Sequence, residues 1–145
     1  MNQFQKTLSW LDDNYGLAYS LTRMFLGAAL FVRGYLLVTN PETFIESVGK
    51  DFPHIWLSYV TMCHLIGGFS IMVGILCRLA AILQIPILTS AIFLVHAKQG
   101  LMMGDQSLEL ATLVLFLLIL VLFFGRGPLS LGNYIKAKLK WKSLY

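Results

Sequence analysis

Residues 113–124 read LVLFLLILVLFF, a run with no polar or charged interruption. It ends a longer apolar stretch, and three further stretches of similar length precede it in the chain. The four predicted spans cover residues 15–38, 55–76, 79–97 and 108–124. Each is close to the ~20 residues that a helix needs to cross ~30 Å of hydrocarbon.

Four such stretches cannot all be buried in the core of a soluble protein of 145 residues. Only 12% of the residues are charged and 57% are hydrophobic, whereas roughly a quarter of a soluble domain is charged. A backbone in lipid must satisfy its hydrogen bonds within its own segment, which leaves the helix as the only available state. The predicted fold is all-α: one polytopic membrane domain over residues 1–145, built as a four-transmembrane-helix bundle.

Two segments outside the spans, residues 1–14 and 133–145, are predicted to be short interfacial helices. The second interleaves lysines with apolar residues, which favours anionic lipid headgroups over nucleic acid as its partner. Its lysines are Lys136, Lys138, Lys140 and Lys142. With four spans both termini share one side, which holds seven lysines and arginines against two on the other. The positive-inside rule makes that side cytoplasmic, so we expect a multi-pass protein of the cytoplasmic (inner) membrane.

Glycines indicate where the helices pack. Gly27 and Gly34 of span one are seven residues apart, as are Gly67 and Gly74 of span two, so each pair shares a helix face. Because glycines let two backbones approach closely, we expect spans one and two to pack along these faces. Arg23 lies on the face of Gly27 and Gly34. Snorkelling to the headgroups and an internal hydrogen-bonding role are both open to it.

Ionisable side chains inside a membrane are costly, and they are therefore the candidates for chemistry. Four of them fall in the outer half of the predicted bundle: Arg33, His64, His96 and Glu109. A neutral His64 near the midplane, with Arg33 and His96 above it, suits the binding of a quinone-like carbonyl or a lipid headgroup. An ion pair between Arg33 and Glu109 is also expected, either within this site or only as a link between spans one and four.

Other cofactors are disfavoured. His64 and His96 invite a haem hypothesis, but by helical rise they differ in depth by ~9 Å, whereas the two axial ligands of one iron lie at similar depth. If Cys63 and Cys77 lay on one helix they would be ~21 Å apart, too far for a disulfide. With no spacing typical of metal ligands, we predict no metal and no covalently bound cofactor.

Several runs resemble the DoxX family. They are RMFLGAALFVRG at 23–34, HLIGGFSIMVGILCRLAA at 64–81, His96, Glu109 and GRGPLSL at 125–131. The likeness covers roughly residues 18 to 135, and its most distinctive part is the GG-x5-G-x3-R pattern that begins at Gly67. The order and spacing of these runs together carry the resemblance.

The resemblance implies a four-helix membrane protein of bacterial or archaeal type, in a family with members linked to the thiosulfate:quinone oxidoreductase of sulfur-oxidising archaea. The positions that match the family's arginine, glycines and acid are Arg23, Gly34, Gly67, Gly68, Gly74 and Glu109. His64 stands where the family commonly has an acidic residue, and Asn133 stands near a common aspartate. We therefore assign no catalytic residue from the resemblance.

Three functions remain open. The chain is expected to be a membrane subunit associated with a quinone-linked redox complex, a non-catalytic structural or assembly subunit of a larger membrane complex, or a small-solute carrier. The carrier is least favoured, because four helices are few for alternating access. Besides the bilayer, the expected partners are other membrane subunits or further copies of this chain. Whether the chain is itself an enzyme is left open.

Overall fold

A computed structural model of the protein describes residues 3, 5, 9–10, 13–42, 45, 54–94 and 107–134. Most of these residues belong to four helices, and none of them is in a strand. The helices are α1 (Tyr15–Thr39), α2 (His54–Val73), α3 (Cys77–Leu94) and α4 (Ser107–Phe124). Each begins and ends within three residues of one predicted span. The all-helical fold class is therefore confirmed.

Two of the helices have the length and composition of a membrane span: α1, and α2 over Ile55–Val73. Only 33% and 28% of their spanning windows are buried, unlike the core helices of a soluble protein. The apolar parts of the other two, Cys77–Phe93 and Leu108–Phe124, are shorter. At 1.5 Å per residue, α3 and α4 are each about 27 Å long, slightly less than the hydrocarbon thickness. That α3 and α4 also cross the bilayer stays a prediction.

The first two helices run antiparallel and pack more extensively than any other pair. Gly27 lies against the backbone of Met72, and Gly34 lies against the backbone of Leu65. A Cβ atom added to Gly68 would come within 2.5 Å of the backbone nitrogen of Phe31. The close approach predicted from Gly27 and Gly34 is therefore present at the contact between α1 and α2, which we call the α1–α2 seam.

The predicted contacts of the other two glycines need correction. A Cβ atom on Gly67 would come within 2.2 Å of Nε2 of Gln84, so Gly67 faces α3 and not α1. Successive helical residues point about 100° apart, so Gly68 can face α1 while Gly67 faces α3. Gly74 lies in the turn after α2 with φ of +86°, where an added Cβ atom would be 2.5 Å from Cβ of Ser130.

The last two helices complete an up-and-down arrangement. A short turn after α2 reverses the chain, and α3 packs against both α2 and α4. Arg78, near the start of α3, donates a hydrogen bond to the carbonyl oxygen of Phe123, near the end of α4. The start of α1, the α2–α3 turn and the end of α4 therefore lie together. We call this the arginine end, because it carries Arg23, Arg78 and Arg126.

The buried side chains lie where these helices meet. In α1 they follow the i, i+3, i+4 pattern of one helical face: Ser20, Arg23, Leu26, Gly27, Leu30, Gly34 and Leu37. Large apolar side chains remain exposed on every helix, among them Phe25, Trp56, Phe93 and Phe116. So much exposed apolar surface suits lipid as the surrounding solvent.

The predicted interfacial segments are described only in part. Gln3, Gln5, Ser9, Trp10 and Asp13 are helical, and residues 131–134 form a further helical turn. The rest of residues 1–14 and the lysine-rich residues 135–145 lie outside the described residues.

Candidate functional site

Arg23 is buried at the arginine end, with 1% of its surface exposed. Its Nη1 donates hydrogen bonds to the carbonyl oxygens of Ile71 and Met72, the latter at 3.2 Å. Its Nη2 donates to the carbonyl oxygen of Leu129 at 2.6 Å. The carbonyls of a last helical turn lack helical partners and carry partial negative charge, which a cation complements. Arg23 thus caps α2 and ties it to the segment that follows α4.

Two neighbours of Arg23 hold the same segment. The Ser20 hydroxyl accepts a hydrogen bond from the Leu129 N–H at 3.2 Å and donates to the carbonyl of Gly16 at 2.9 Å. The Tyr19 hydroxyl donates to the carbonyl of Gly125 at 2.7 Å. About one turn of α1 therefore binds both ends of residues 125–129. Of the two roles open to Arg23, the structure shows the internal one.

His64 lies near the middle of α2 and is 4% exposed. Its Nδ1 is 3.0 Å from the carbonyl oxygen of Val60. A carbonyl oxygen can only accept, so Nδ1 must carry the hydrogen, and in the neutral ring Nε2 is then an acceptor. Within the described ranges, no hydrogen bond to this Nε2 is present. Arg33, across the α1–α2 seam, is within electrostatic range of His64.

The expected ion pair between Arg33 and Glu109 is absent from the described part of the chain. Arg33 is exposed, whereas Glu109 is half-buried in the first turn of α4. The physical reason is that α1 packs mainly on α2 and makes only slight contact with α4. His96 lies outside the described residues. Of the four candidate residues, the structure therefore places only Arg33 and His64 within electrostatic range of each other among the described residues.

Gln84 is a buried polar residue that sequence reasoning did not select as a candidate. It is fully buried in α3, and neither its Oε1 nor its Nε2 has a hydrogen-bond partner among the described residues. It lies against Gly67, which is one helical turn from His64 on α2. The sequence feature that could have identified Gln84 is its position as an isolated amide in an apolar span. A buried amide usually has a hydrogen-bond partner.

These side chains set the chemistry that the described interior offers to a ligand. Over the described ranges, no group of three or more His, Cys, Asp or Glu side chains is arranged to hold a metal ion. His64 offers an acceptor at Nε2, and Arg33 offers charged N–H donors. The two together suit a small head group that has both a hydroxyl and a carbonyl oxygen.

Comparison with known proteins bears on these residues. The family model that matches the chain is DoxX, over residues 18–97. This range contains Arg23, Arg33 and His64, whereas Glu109 lies beyond it. No curated protein and no solved structure matches the chain. Since the matched range is more than half of the 145 residues, the resemblance predicted from the sequence is confirmed, and the chain belongs to the DoxX family of membrane proteins.

Proposed function

We propose that this DoxX-family protein is a four-span subunit of the bacterial or archaeal cytoplasmic membrane, associated with a quinone-linked redox complex. In this proposal His64 and Arg33 bind the quinone head group. The main support for this proposal is the burial and hydrogen bonding of the His64 ring. The ring is buried, its Nδ1–H donates to the carbonyl of Val60, its Nε2 is left as an acceptor, and Arg33 is within electrostatic range of the ring.

The crossing of the membrane by all four helices is supported by helix direction and by charge. The helices alternate in direction, so the connections of a four-span protein fall on alternate sides. Arg78 and Arg126 lie at the end that also carries the start of α1 and the end of α4. With the lysines that follow residue 134 in the sequence, these arginines favour a cytoplasmic location for this end and for both termini.

The chemistry of His64 and Arg33 matches the two oxygen types of a quinol and quinone couple. A quinol hydroxyl can donate to Nε2 of His64, and an Arg33 N–H can donate to a carbonyl or phenolate oxygen. The aromatic rings of Phe31 and Phe69 lie 6.4 Å apart across the same seam, and both side chains are exposed. They offer an apolar surface to the ring or tail of the ligand. The redox centre itself belongs to the partner complex.

Quinone binding can be tested on the full chain in nanodiscs of neutral lipid. We expect saturable binding of decylubiquinol, with Kd raised about tenfold or more in Arg33→Gln and His64→Gln, because each loses one charged or buried hydrogen bond. The matched control is Arg126→Gln, which makes the same change of charge at the opposite end of the bundle. Equal Kd values for the wild type, Arg33→Gln and His64→Gln, or no saturable binding at all, would contradict the proposal.

A second candidate, an assembly subunit without a ligand, is favoured by the open face of α4. Leu110, Leu113, Phe116 and Phe123 on this helix are all more than half exposed. If this face binds a neighbouring subunit, Phe116→Ala releases the partner in neutral detergent while leaving the span apolar. Under this second candidate, Arg33→Gln and His64→Gln keep the partner bound.

A further inference from the structure

We propose that the arginine end holds a second binding site, which takes the phosphate of an anionic lipid headgroup. The site is a groove of about 520 Å³ between the α2–α3 turn and the segment after α4. Arg78 and Arg126 line it together with apolar side chains. This lipid site requires only that the arginine end lies at the bilayer surface, as in the proposed topology. It does not depend on the quinone site.

The two arginines supply the positive charge. Arg78 is exposed, and it donates one hydrogen bond, at 3.2 Å, to the carbonyl of Phe123. A guanidinium has five N–H donors, so most of those on Arg78 remain for a ligand. Arg126 is half-buried against Gly132 and makes no hydrogen bond or ion pair with any other described residue. No acidic residue is among the described residues that line the groove, so none of these neutralises the charge of the two arginines.

The start of α3 lies at the same groove. Cys77, Arg78 and Leu79, the first three residues of this 18-residue helix, all line it. The first N–H groups of a helix have no acceptor within the helix, and the helix dipole makes that end partly positive. Two guanidinium groups and a helix N-terminus together form a strong site for an oxyanion.

The apolar walls of the groove point to a lipid rather than a free anion. Leu76, Leu79 and Phe124 line the groove and are 53%, 56% and 69% exposed. Free phosphate gains nothing from these side chains, whereas the glycerol and upper acyl carbons of a phospholipid bury apolar surface against them. The positive-inside rule explains the side on which the arginines lie. It does not explain why they line one groove beside apolar side chains.

The test must separate the groove from the lysine-rich tail, which also attracts anionic lipid. Full-length protein in neutral detergent at 0.15 M salt is titrated with dihexanoyl-phosphatidylglycerol, and its Kd is compared with that of dihexanoyl-phosphatidylcholine. Arg126→Gln is the cleaner variant, because Arg126 has no hydrogen bond to a described residue to lose. Arg78→Gln is the second, Arg126→Lys retains the charge, and Lys138→Gln makes the same change of charge in the tail. A melting temperature in detergent checks that each variant is folded.

We expect Arg126→Gln and Arg78→Gln each to raise the Kd for the phosphatidylglycerol about tenfold or more, since each removes a charge-assisted contact. Arg126→Lys should raise it less, and Lys138→Gln and His64→Gln should leave it within about twofold at this salt. Equal affinity for phosphatidylcholine, or an equal effect of Lys138→Gln, would overturn the site. Displacement of the lipid by inorganic phosphate at matching concentration would show that the ligand is free phosphate. Phosphatidylglycerol binding by a protein that shows no quinone binding would support the lipid site and contradict only the proposed quinone site.

Discussion

The guanidinium of Arg23 donates a 2.6 Å hydrogen bond to the carbonyl oxygen of Leu129, 106 residues along the chain. The same side chain donates to Ile71 and Met72 at the end of α2. One buried cation therefore joins the first helix, the end of the second and the segment after the fourth. Among the described residues its acceptors are three backbone carbonyls and, at 4.0 Å, the sulfur of Cys77. None of them is a carboxylate, so its role does not require one as a partner.

Replacement of Arg23 should weaken the fold strongly. Arg23→Leu leaves the buried carbonyl group of Ile71 and the partly buried one of Leu129 without this donor. A buried unsatisfied group costs about 1–3 kcal/mol. We expect the free energy of unfolding, measured by denaturation in mixed micelles, to fall by about 3 kcal/mol. Arg33→Leu is the control and should change it little, because Arg33 is exposed. Equal stability of Arg23→Leu and the wild type would show that the Arg23 hydrogen bonds are not structural.

A double-mutant cycle can test whether Ser20 and Arg23 act together. The Ser20 hydroxyl binds the N–H of Leu129 and Arg23 binds its carbonyl, so both hold one residue. We expect Ser20→Ala and Arg23→Gln to be non-additive by at least about 0.5 kcal/mol, as for residues that share a partner. Ser20→Ala combined with Phe116→Ala on the exposed face of α4 should be additive. Additivity in the first pair would mean that the two contacts are independent.

Adjacent glycines of α2 should respond differently to the same substitution. Gly68→Ala places a Cβ atom 2.5 Å from the backbone nitrogen of Phe31, and two packed backbones can separate only at a cost of about 1–3 kcal/mol. Gly67→Ala meets the end of the Gln84 side chain, which can rotate away, so its cost should be smaller. Comparing the free energies of unfolding of the two variants checks the assignment. A larger decrease in the free energy of unfolding for Gly67→Ala would instead support the prediction from the sequence that Gly67 packs against α1.

Mutation of the turn glycine provides a further test. Gly74 has φ of +86°, and an added Cβ atom would lie 2.5 Å from Cβ of Ser130. A non-glycine residue in this conformation costs about 1–3 kcal/mol. Gly74→Ala should therefore lower the free energy of unfolding by that amount or more. Ser130→Gly in the same chain should restore part of the loss, because it removes the clashing Cβ atom. No recovery would show that backbone strain alone is responsible.

The helices could be predicted because an apolar run of bilayer length leaves a chain few alternatives to a helix. The interior position of Arg23 was also suggested, since it shares a face with Gly27 and Gly34. Its partner Leu129 was not predictable, because no periodicity connects residues so distant in the chain. The hydrogen bonds of Tyr19 and Ser20 to residues 125–129 were not predicted for the same reason.

The candidate site was predicted less well, because sequence position gives the depth of a residue in a helix but not the neighbour that it faces. Arg33 and Glu109 share the outer half by depth, yet α1 makes only slight contact with α4. A spacing of seven predicted one face for Gly67 and Gly74, but Gly67 faces α3 and Gly74 lies in the turn after α2. Gln84 was missed because its buried side chain without a hydrogen-bond partner becomes visible only in the structure. The apolar residues around it in the sequence do not indicate which residue it faces.

The central claim, that the chain crosses the bilayer four times, is tested most directly by labelling Ser107→Cys at the start of α4 with a membrane-impermeant maleimide. Sealed vesicles of both orientations are used, with Cys63→Ala in the background and the same chain without Ser107→Cys as the blank. Leu76→Cys and Tyr134→Cys serve as markers of the cytoplasmic side. We expect Ser107→Cys to react only from outside and the two markers only from the cytoplasmic side. Reaction of Ser107→Cys from the cytoplasmic side would mean that α3 and α4 do not cross, which contradicts the four-span topology.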